Sequence, residues 1–483
     1  MNPRRALLYW SLGQPFSIAC QIFIMIYTAR VLGPEEKGLF VAAVSALAFL
    51  QVLQNFGLGH FLMSQVDLTK EDISTAFGVL LVGCLSVSVC TYSIAAPLAV
   101  FMREDRLIPI FHVLAIAPLL MPLQMVANGL MMRDHRDRVQ LVLTLSRVVV
   151  SCLVVYVLCE NGFGAISMAW AFVASSAAVT LLAVLMRPSV LLIKPSFKSW
   201  KKVMRFGSSM LVLSYLINLL PRLYELLTTR SLGVIATGSF SQMLALVDPI
   251  KANIQQVVLT ALFPTFSEHI RRGLPLGPLY LKLIECLSGL LIPIYVVMAI
   301  LGSEIVLLLF GEQWVSAANL LVIIYCTQIA NTLAAGGYDV LLALGRVKTL
   351  LIIETTNFVF ALTVFWIGLH KSLFVALLCL VAAAVLYSFL YAHFLAKEFN
   401  FTYRNLLGIY LRTAIVTVAA SGPAFALKNL GVDFKYEWYH FFLIGAASFC
   451  CAYVAGKSVK HLLVSEVDRV IKGMISKIGI RGS

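Results

Sequence analysis

Apolar segments of about 20 residues follow one another along almost the whole chain, separated by short polar stretches. A helix of that length crosses a hydrocarbon core of roughly 30 Å, and lipid offers no hydrogen-bond partner to a backbone that is not helical. The pattern predicts about 14 transmembrane helices and an all-α polytopic membrane protein. The predicted spans are 7–31, 38–62, 74–98, 107–131, 139–159, 164–187, 204–229, 235–263, 280–302, 315–341, 349–369, 372–395, 405–427 and 438–457.

Composition supports a membrane protein and narrows the functional class. Apolar residues make up 60% of the chain and charged residues 12%, against about 45–50% and about 25% in globular domains. The loops are too short for a soluble catalytic domain, and no phosphate-binding glycine loop is present. We therefore expect no ATPase activity, no cofactor and no enzymatic chemistry. The first apolar stretch is too long for the core of a signal peptide and is predicted to be a retained span.

The distribution of basic residues orients the chain. With the N-terminus in the cytoplasm, about 25 of the 37 Lys and Arg residues fall in cytoplasmic positions and about 7 outside. This bias predicts cytoplasmic N- and C-termini. The net charge of +14 is spread over many short loops, which favours contact with anionic membrane lipid over a nucleic-acid partner.

The ten cysteines show no spacing typical of a metal or redox site. Most lie within apolar runs, and we expect free, buried thiols with no disulfide framework.

A short segment occurs twice. Residues 28–40 read TARVLGPEEKGLF and residues 228–240 read TTRSLGVIATGSF. An even number of predicted spans separates the copies, so both have the same orientation, as in a parallel repeat. The repeat predicts an N-lobe at 1–187, a cytoplasmic linker at 188–203, a C-lobe at 204–397, and two further spans with a tail at 398–483. The linker is a candidate amphipathic surface helix. The identical positions are Thr28/Thr228, Arg30/Arg230, Leu32/Leu232, Gly33/Gly233, Gly38/Gly238 and Phe40/Phe240.

The repeated turn itself favours a structural role. Gly33 and Gly233 fall where one predicted helix ends, and Gly38 and Gly238 fall where the next begins. Glycine commonly terminates helices because it accepts left-handed backbone angles. We interpret the turn as evidence of fold, and we expect the binding site in the helices that it joins.

Three predicted spans carry polar residues on one helical face, which is costly in lipid unless the side chains meet a cavity or a partner. Two interpretations stay open: a water-filled cavity between the lobes, or ion pairs at i, i+3, namely Arg222 with Glu225 and Asp248 with Lys251. A helix break is also expected at Pro249. The polar residues are Tyr215, Asn218, Arg222, Glu225 and Thr229 in the seventh span, Asp248, Lys251 and Gln255 in the eighth, and Gln140, Thr144, Arg147 and Ser151 in the fifth.

Three other charged residues at membrane depth each have their own explanation. Asp339 is expected to cap a helix or to reach the membrane surface, and Arg412 and Glu285 lie near membrane edges, where long side chains extend to water.

Several motifs resemble those of bacterial polysaccharide and O-antigen flippases, in the polysaccharide transport branch of the multidrug/oligosaccharidyl-lipid/polysaccharide exporter superfamily. The motifs are ARVLGPEEKGLF at 29–40, FGLG at 56–59, ALVDPIKANIQQVVLTALFPTFS at 245–267, LLFGEQW at 308–314 and LALGRVK at 342–348. The resemblance implies two parallel six-helix lobes around a central cavity, plus two C-terminal helices. It also implies alternating-access transport of an undecaprenyl-diphosphate-linked oligosaccharide across the bacterial inner membrane, beside a polysaccharide polymerase.

In that setting Arg222, Lys251 and Arg147 are candidates for contacting the diphosphate or an acidic sugar, with Asn218 and Gln255 beside them. Asp248 and Glu225 are candidates for binding a coupling cation or proton. These assignments come from the polar faces, since the family motifs do not fix the positions. Two alternatives remain: a cation-coupled multidrug antiporter of the same superfamily, and a membrane polysaccharide polymerase or glycosyltransferase.

Overall fold

The computed structural model describes residues 3–55, 62, 68–134, 137–429, 438–459 and 461. The predicted FGLG motif at 56–59 and the tail beyond 461 lie outside these residues. Every regular element in the described part is a helix. The α-helices are α1 Pro3–Asn55, α2 Lys70–Met102, α3 Leu107–Leu114, α4 Ala117–Arg133, α5 Asp137–Glu160, α6 Ile166–Met186, α7 Trp200–Leu232, α8 Val234–Arg272, α9 Gly277–Ile300, α10 Gly302–Phe310, α11 Ala318–Thr332, α12 Gly337–Ala343, α13 Val347–Leu369, α14 Leu373–Phe399, α15 Tyr403–Asn429 and α16 Trp438–Ser458.

The helices follow the predicted spans closely. Within the described residues, ten helical stretches are long and apolar enough to cross a membrane. α1 covers the first two predicted spans, α3 and α4 together form the fourth, and α11 with α12 forms most of the tenth. The predicted boundary between the eleventh and twelfth spans is confirmed, because α13 ends at Leu369 and Ser372 caps α14 by accepting from the Val375 amide at 3.2 Å. The protein is an all-α, multi-pass membrane protein.

The chain forms two compact units, Met1–Gln242 and Met243–Ser483, and the boundary falls within α8. This division differs from the lobes at 1–187 and 204–397, which stay a prediction from the repeat.

The first unit packs around α1. The second half of α1 contributes small side chains, such as Ala42 and Ala43, to a core shared with α2, α3 and α6. Small residues let helices approach closely, which is how helices gain packing energy in lipid. The Glu36 carboxylate accepts from the Ala165 amide at 2.6 Å, just before α6 begins. A carboxylate at that position is favoured by the helix dipole.

A loop ion pair lies close to the first repeat copy. Arg106, between α2 and α3, contacts both Glu35 and Glu104 at 2.8 Å. The hydrogen bond from Arg106 lowers the pKa of the Glu104 carboxyl below its ordinary value. The Glu104 carboxylate is therefore charged at neutral pH.

The linker at 188–203 differs from its prediction. Only Pro188–Leu192 is helical before α7 begins at Trp200, and it forms a single 3-10 segment. The chain between them lies against α2, where the Ser196 amide donates to the Ser74 carbonyl at 3.1 Å. The amphipathic helix is wrong because Pro188 and Pro195 limit regular hydrogen bonding.

In the second unit α9 packs against α11 and α15, α11 against α14, and α15 against α16. Large aromatic side chains, including Trp314 and Tyr325, are fully buried there. Two expectations fail. α8 is helical throughout Val234–Arg272, so the break at Pro249 is wrong. The ten cysteines are free, as expected, but only Cys84 and Cys159 are buried, and Cys326 and Cys450 are exposed.

Candidate functional site

The two copies of the repeated segment adopt the same backbone conformation. Gly33 has φ 71° and ψ −179°, which interrupts α1. Gly233 has φ 85° and ψ 176° and separates α7 from α8. Only glycine occupies this region without substantial strain. The structural interpretation of these two glycines is confirmed, and the repeat is a repeat of geometry as well as of sequence.

The copies also contact each other. Gly38 and Gly238 lie face to face, and a Cβ atom added to Gly38 would lie 3.1 Å from the Gly238 nitrogen and 2.7 Å from the Val234 carbonyl carbon. A Cβ atom added to Gly238 would lie 2.9 Å from the Gly38 nitrogen and 3.0 Å from the carbonyl carbon of Pro34. Pro34 and Val234 are equivalent positions of the repeat, so the contact is reciprocal. We call it the glycine contact.

Side chains of α1 near the glycine contact form further hydrogen bonds. Lys37 donates to the Met25 carbonyl at 3.2 Å and to the side-chain oxygen of Gln242. Two helical turns beyond Gly38, the Ser45 hydroxyl donates to the Glu225 carboxylate. Residues 38 and 45 are about 10 Å apart along a helix. The sequence placed Lys37 in an outer loop, but it lies within α1 because the helix resumes directly after Gly33.

The polar face of α7 contains one predicted ion pair. Arg222 donates to Glu225 Oε2 at 2.9 Å, and the Arg222 side chain is 41% exposed while that of Glu225 is 5% exposed. Glu225 therefore has two donors, Arg222 and Ser45. Asn218 lies exposed one turn before Arg222. The buried carboxylate holds one end of the guanidinium, and the rest of that group remains accessible.

The polar face of α8 behaves differently. Asp248 is exposed and acts electrostatically on Lys251 and on Tyr295 of α9. A direct contact between Asp248 and Lys251 stays a prediction, and the electrostatic interaction between the two side chains agrees with it. Gln255 is half-buried and donates to Asp339 Oδ2 at 3.3 Å. Asp339 lies in the first turn of α12, where a carboxylate is favoured by the helix dipole.

Arg147 is exposed on α5. No hydrogen bond or ion pair among the described residues joins it to Arg222 or Glu225 of the same unit. The structure thus brings Arg222 together with Glu225, and Gln255 with Asp339, and it leaves Arg147 apart from the α7 group.

The sequence singles out Glu354 as a charge at membrane depth that could pair with Arg147, but it does not indicate the tyrosine partners that the structure gives it. Glu354 of α13 is 5% exposed and accepts from Tyr387 at 2.9 Å and from Tyr391 at 2.7 Å. These tyrosines are four residues apart on α14, a spacing that puts both on one face of a helix. That spacing was the available signal. Two donors satisfy the carboxylate, as a buried charge requires.

Residues 28–319 match the sequence profile of a family described as polysaccharide biosynthesis protein. The match covers more than half of the chain. The chain belongs to this family. The matched range includes the motifs at 29–40, 245–267 and 308–314, so the resemblance inferred from them is confirmed. The glycine contact and the polar faces of α7 and α8 all lie within the matched range.

The chain is also similar in sequence to two bacterial proteins. The chain is 24% identical over 322 residues to an uncharacterized membrane protein in the cps region of Klebsiella pneumoniae, covering 63% of this chain and 64% of that protein. It is 25% identical over 297 residues to the succinoglycan biosynthesis transport protein ExoT of Rhizobium meliloti, covering 60% and 58%. The matches thus span less than two thirds of these relatives.

The fold resembles that of a solved transporter over nearly its full length. The inward closed structure of the lipid II flippase MurJ matches with a TM-score of 0.72 at 14% identity, covering 94% of this chain and 99% of that one. At this identity the likeness concerns the fold. It confirms the fold class expected from the hydropathy pattern.

Proposed function

We propose that the protein transports an undecaprenyl-diphosphate-linked oligosaccharide from the cytoplasmic to the outer leaflet of the bacterial inner membrane. The exported units would supply a cell-surface polysaccharide, and a polysaccharide polymerase would be the downstream partner. The observation that carries the proposal is the family match over residues 28–319. The chain binds and releases its substrate without making or breaking a covalent bond. Both of its termini lie in the cytoplasm.

The polar faces supply the chemistry for the diphosphate. Arg222, Lys251 and Arg147 are cationic groups at membrane depth, and arginine suits phosphate because its planar fork donates two hydrogen bonds. Asn218 and Gln255 can hydrogen-bond to sugar hydroxyls. The partial exposure of Arg222 supports its role, because a guanidinium held by Glu225 at one side still presents donors at the other.

The two candidate coupling residues, Glu225 and Asp248, differ in their contacts. Glu225 is engaged by Arg222 and Ser45, which favours a role in positioning Arg222. Asp248 is exposed and acts electrostatically on Lys251, and it is the candidate for binding a coupling cation or proton. Alternating access also requires helices that pack tightly at the closed end of the transport path. The glycine contact, in which two equivalent turns pack against each other, supplies such packing.

Deleting the gene is expected to cause lipid-linked repeat units to accumulate in the cytoplasmic leaflet, because their synthesis continues while their transport stops. Leaflet-resolved analysis of labelled lipid-linked sugars measures this directly. Unchanged amounts with altered drug tolerance would instead identify a multidrug antiporter. Normal transfer to the outer leaflet without polymer would identify a polymerase or glycosyltransferase.

A further inference from the structure

The linker between α6 and α7 is held in place by every third of its residues. Val190 is buried in a core shared with α2, α4 and α6, and Ile193 packs against the same core. The Ser196 amide donates to the Ser74 carbonyl of α2 at 3.1 Å, and the Ser199 amide donates to a hydroxyl of the same helix at 3.4 Å. A repeat of three residues is that of the 3-10 and polyproline II conformations. One side of the linker therefore faces the protein from Val190 to Ser199.

Three helix ends fix the depth of the linker. α6 ends at Met186, α7 begins at Trp200, and the linker contacts the first turns of α2, which begins at Lys70. The backbones approach closely there, because a Cβ atom added to Gly78 of α2 would lie 3.1 Å from the Ser196 nitrogen. The ends of membrane-spanning helices mark the edge of the hydrocarbon core, so the linker lies at a membrane surface. The bias of the basic residues predicts that this surface is cytoplasmic.

The opposite side of the linker is apolar and cationic. Leu192 is 82% exposed and Phe197 is 52% exposed, although neither belongs to a predicted membrane span. Large apolar side chains that are exposed outside the hydrocarbon core mark a surface that another component covers. Lysines alternate with them. The outward-facing residues, which we call the linker strip, are Leu192, Lys194, Phe197, Lys198, Trp200 and Lys201.

The positive charge of the linker strip is not neutralised by the protein. Arg187, directly before the linker, forms an ion pair with Asp134 at 2.6 Å. Among the described residues, no carboxylate forms such a pair with any lysine of the linker strip. The sequence explains the difference, since residues 161–224 contain neither aspartate nor glutamate. The linker strip therefore presents three cations among apolar side chains at the membrane surface.

We propose that the linker strip binds the anionic lipid surface of the cytoplasmic leaflet. Phe197 and Trp200 lie among the head groups, where aromatic side chains are enriched, and the lysines contact the lipid phosphates. Charge and depth together favour lipid over an acidic soluble protein, because the aromatic side chains lie level with the ends of three membrane-spanning helices. The contact belongs to a segment fixed on α2 and needs no amphipathic helix. The site stands independently of the proposed transport function.

Hydrogen–deuterium exchange of the full-length protein in lipid nanodiscs tests this lipid contact. The backbone amides of residues 188–201 are compared between discs of phosphatidylcholine and discs that also contain phosphatidylglycerol. We expect phosphatidylglycerol to slow their exchange, because head groups that cover the linker strip exclude water from it. Salt at about 1 M should remove the added protection, since it shortens the screening length to about 3 Å.

The variant Lys194→Gln/Lys198→Gln/Lys201→Gln should lose the response to phosphatidylglycerol. Each lysine near an anionic surface contributes about a factor of five, so the attraction falls about 100-fold in this variant. Lys194→Arg/Lys198→Arg/Lys201→Arg keeps all three charges and should respond like the wild type. That result would exclude misfolding of the linker as the cause of the loss.

A charge-matched control shows whether the effect belongs to the linker strip. Arg271→Gln/Lys348→Gln/Lys397→Gln, at exposed positions of the second unit, should respond like the wild type. Equal exchange of residues 188–201 in both kinds of disc, or a full response in the glutamine variant of the linker strip, would overturn the proposal. Protection in native membrane vesicles without a response to phosphatidylglycerol would also overturn it, because it would assign the linker strip to a cytoplasmic protein.

Discussion

Replacing Gly38 with alanine is expected to abolish polysaccharide export and to lower the melting temperature of the purified protein. The added Cβ atom would overlap the backbone of Val234, lying 2.7 Å from its carbonyl carbon. Backbone atoms cannot rotate away as a side chain can, so α8 must shift relative to α1. Overpacking of this kind costs about 1–3 kcal/mol. Export is measured as polymer in the medium or on the cell surface.

The reciprocal variant and a matched control make the expectation specific. Gly238→Ala should behave like Gly38→Ala, because its Cβ atom would meet the backbone of Pro34 and Gly38 in the same way. Gly422→Ala on α15 is the control, since a Cβ atom there meets nothing within 4 Å. Alanine should even stabilise that helix slightly, by up to about 1 kcal/mol. If Gly38→Ala exported polymer normally and melted at the wild-type temperature, the glycine contact would have no importance.

Arg222→Ala is expected to abolish export while leaving the protein inserted in the membrane. Two effects combine in this variant: the proposed diphosphate contact is lost, and the buried Glu225 carboxylate keeps only Ser45 as a donor. An unsatisfied buried group costs about 1–3 kcal/mol. Arg222→Lys should retain partial export, because lysine keeps the charge but lacks the fork that matches phosphate oxygens.

The double variant Arg222→Ala/Glu225→Gln separates the two effects. If Arg222 only neutralises Glu225, removing both charges restores export. If Arg222 contacts the substrate, the double variant regains stability and stays inactive, which is the result we expect. Arg272→Ala provides the control, since its pair with Glu268 has the comparable spacing i, i+4 and a distance of 2.6 Å but is largely exposed. Exposed pairs of that kind contribute about 0.3–0.5 kcal/mol.

Membrane-spanning elements could be predicted well because the bilayer imposes one rule on every segment: its length must match the hydrocarbon core and its backbone must be helical. The hairpin at 370–372 was predictable from only two polar residues in a long apolar run. Interruptions of the helix within a predicted span were harder to predict. The tenth span is divided between α11 and α12 at Gly336, which has φ 76°, a local conformation that hydropathy does not register.

The candidate site was predictable only where it depends on local spacing. The pair of Arg222 with Glu225 follows from i, i+3 positions on one helix, and it is formed. The pair of Asp248 with Lys251 has the same spacing, and the two side chains interact electrostatically, but spacing alone does not fix the rotamers that a direct contact requires. Long-range contacts were inaccessible to the sequence. The repeat identified Gly38 and Gly238 as equivalent, but nothing in the residues indicated that the two glycines touch.

The proposed transport of a lipid-linked oligosaccharide can be measured with the purified protein. The protein is reconstituted in liposomes whose undecaprenyl-diphosphate-linked oligosaccharide carries a fluorescent label on the sugar, and a membrane-impermeant quencher reports the labelled fraction in the outer leaflet. We expect wild-type protein to move protected substrate into the quenchable leaflet, and we expect Arg222→Ala to leave it protected. Equal quenching in liposomes with and without the wild-type protein, under an imposed proton or sodium gradient as well as in its absence, would contradict it.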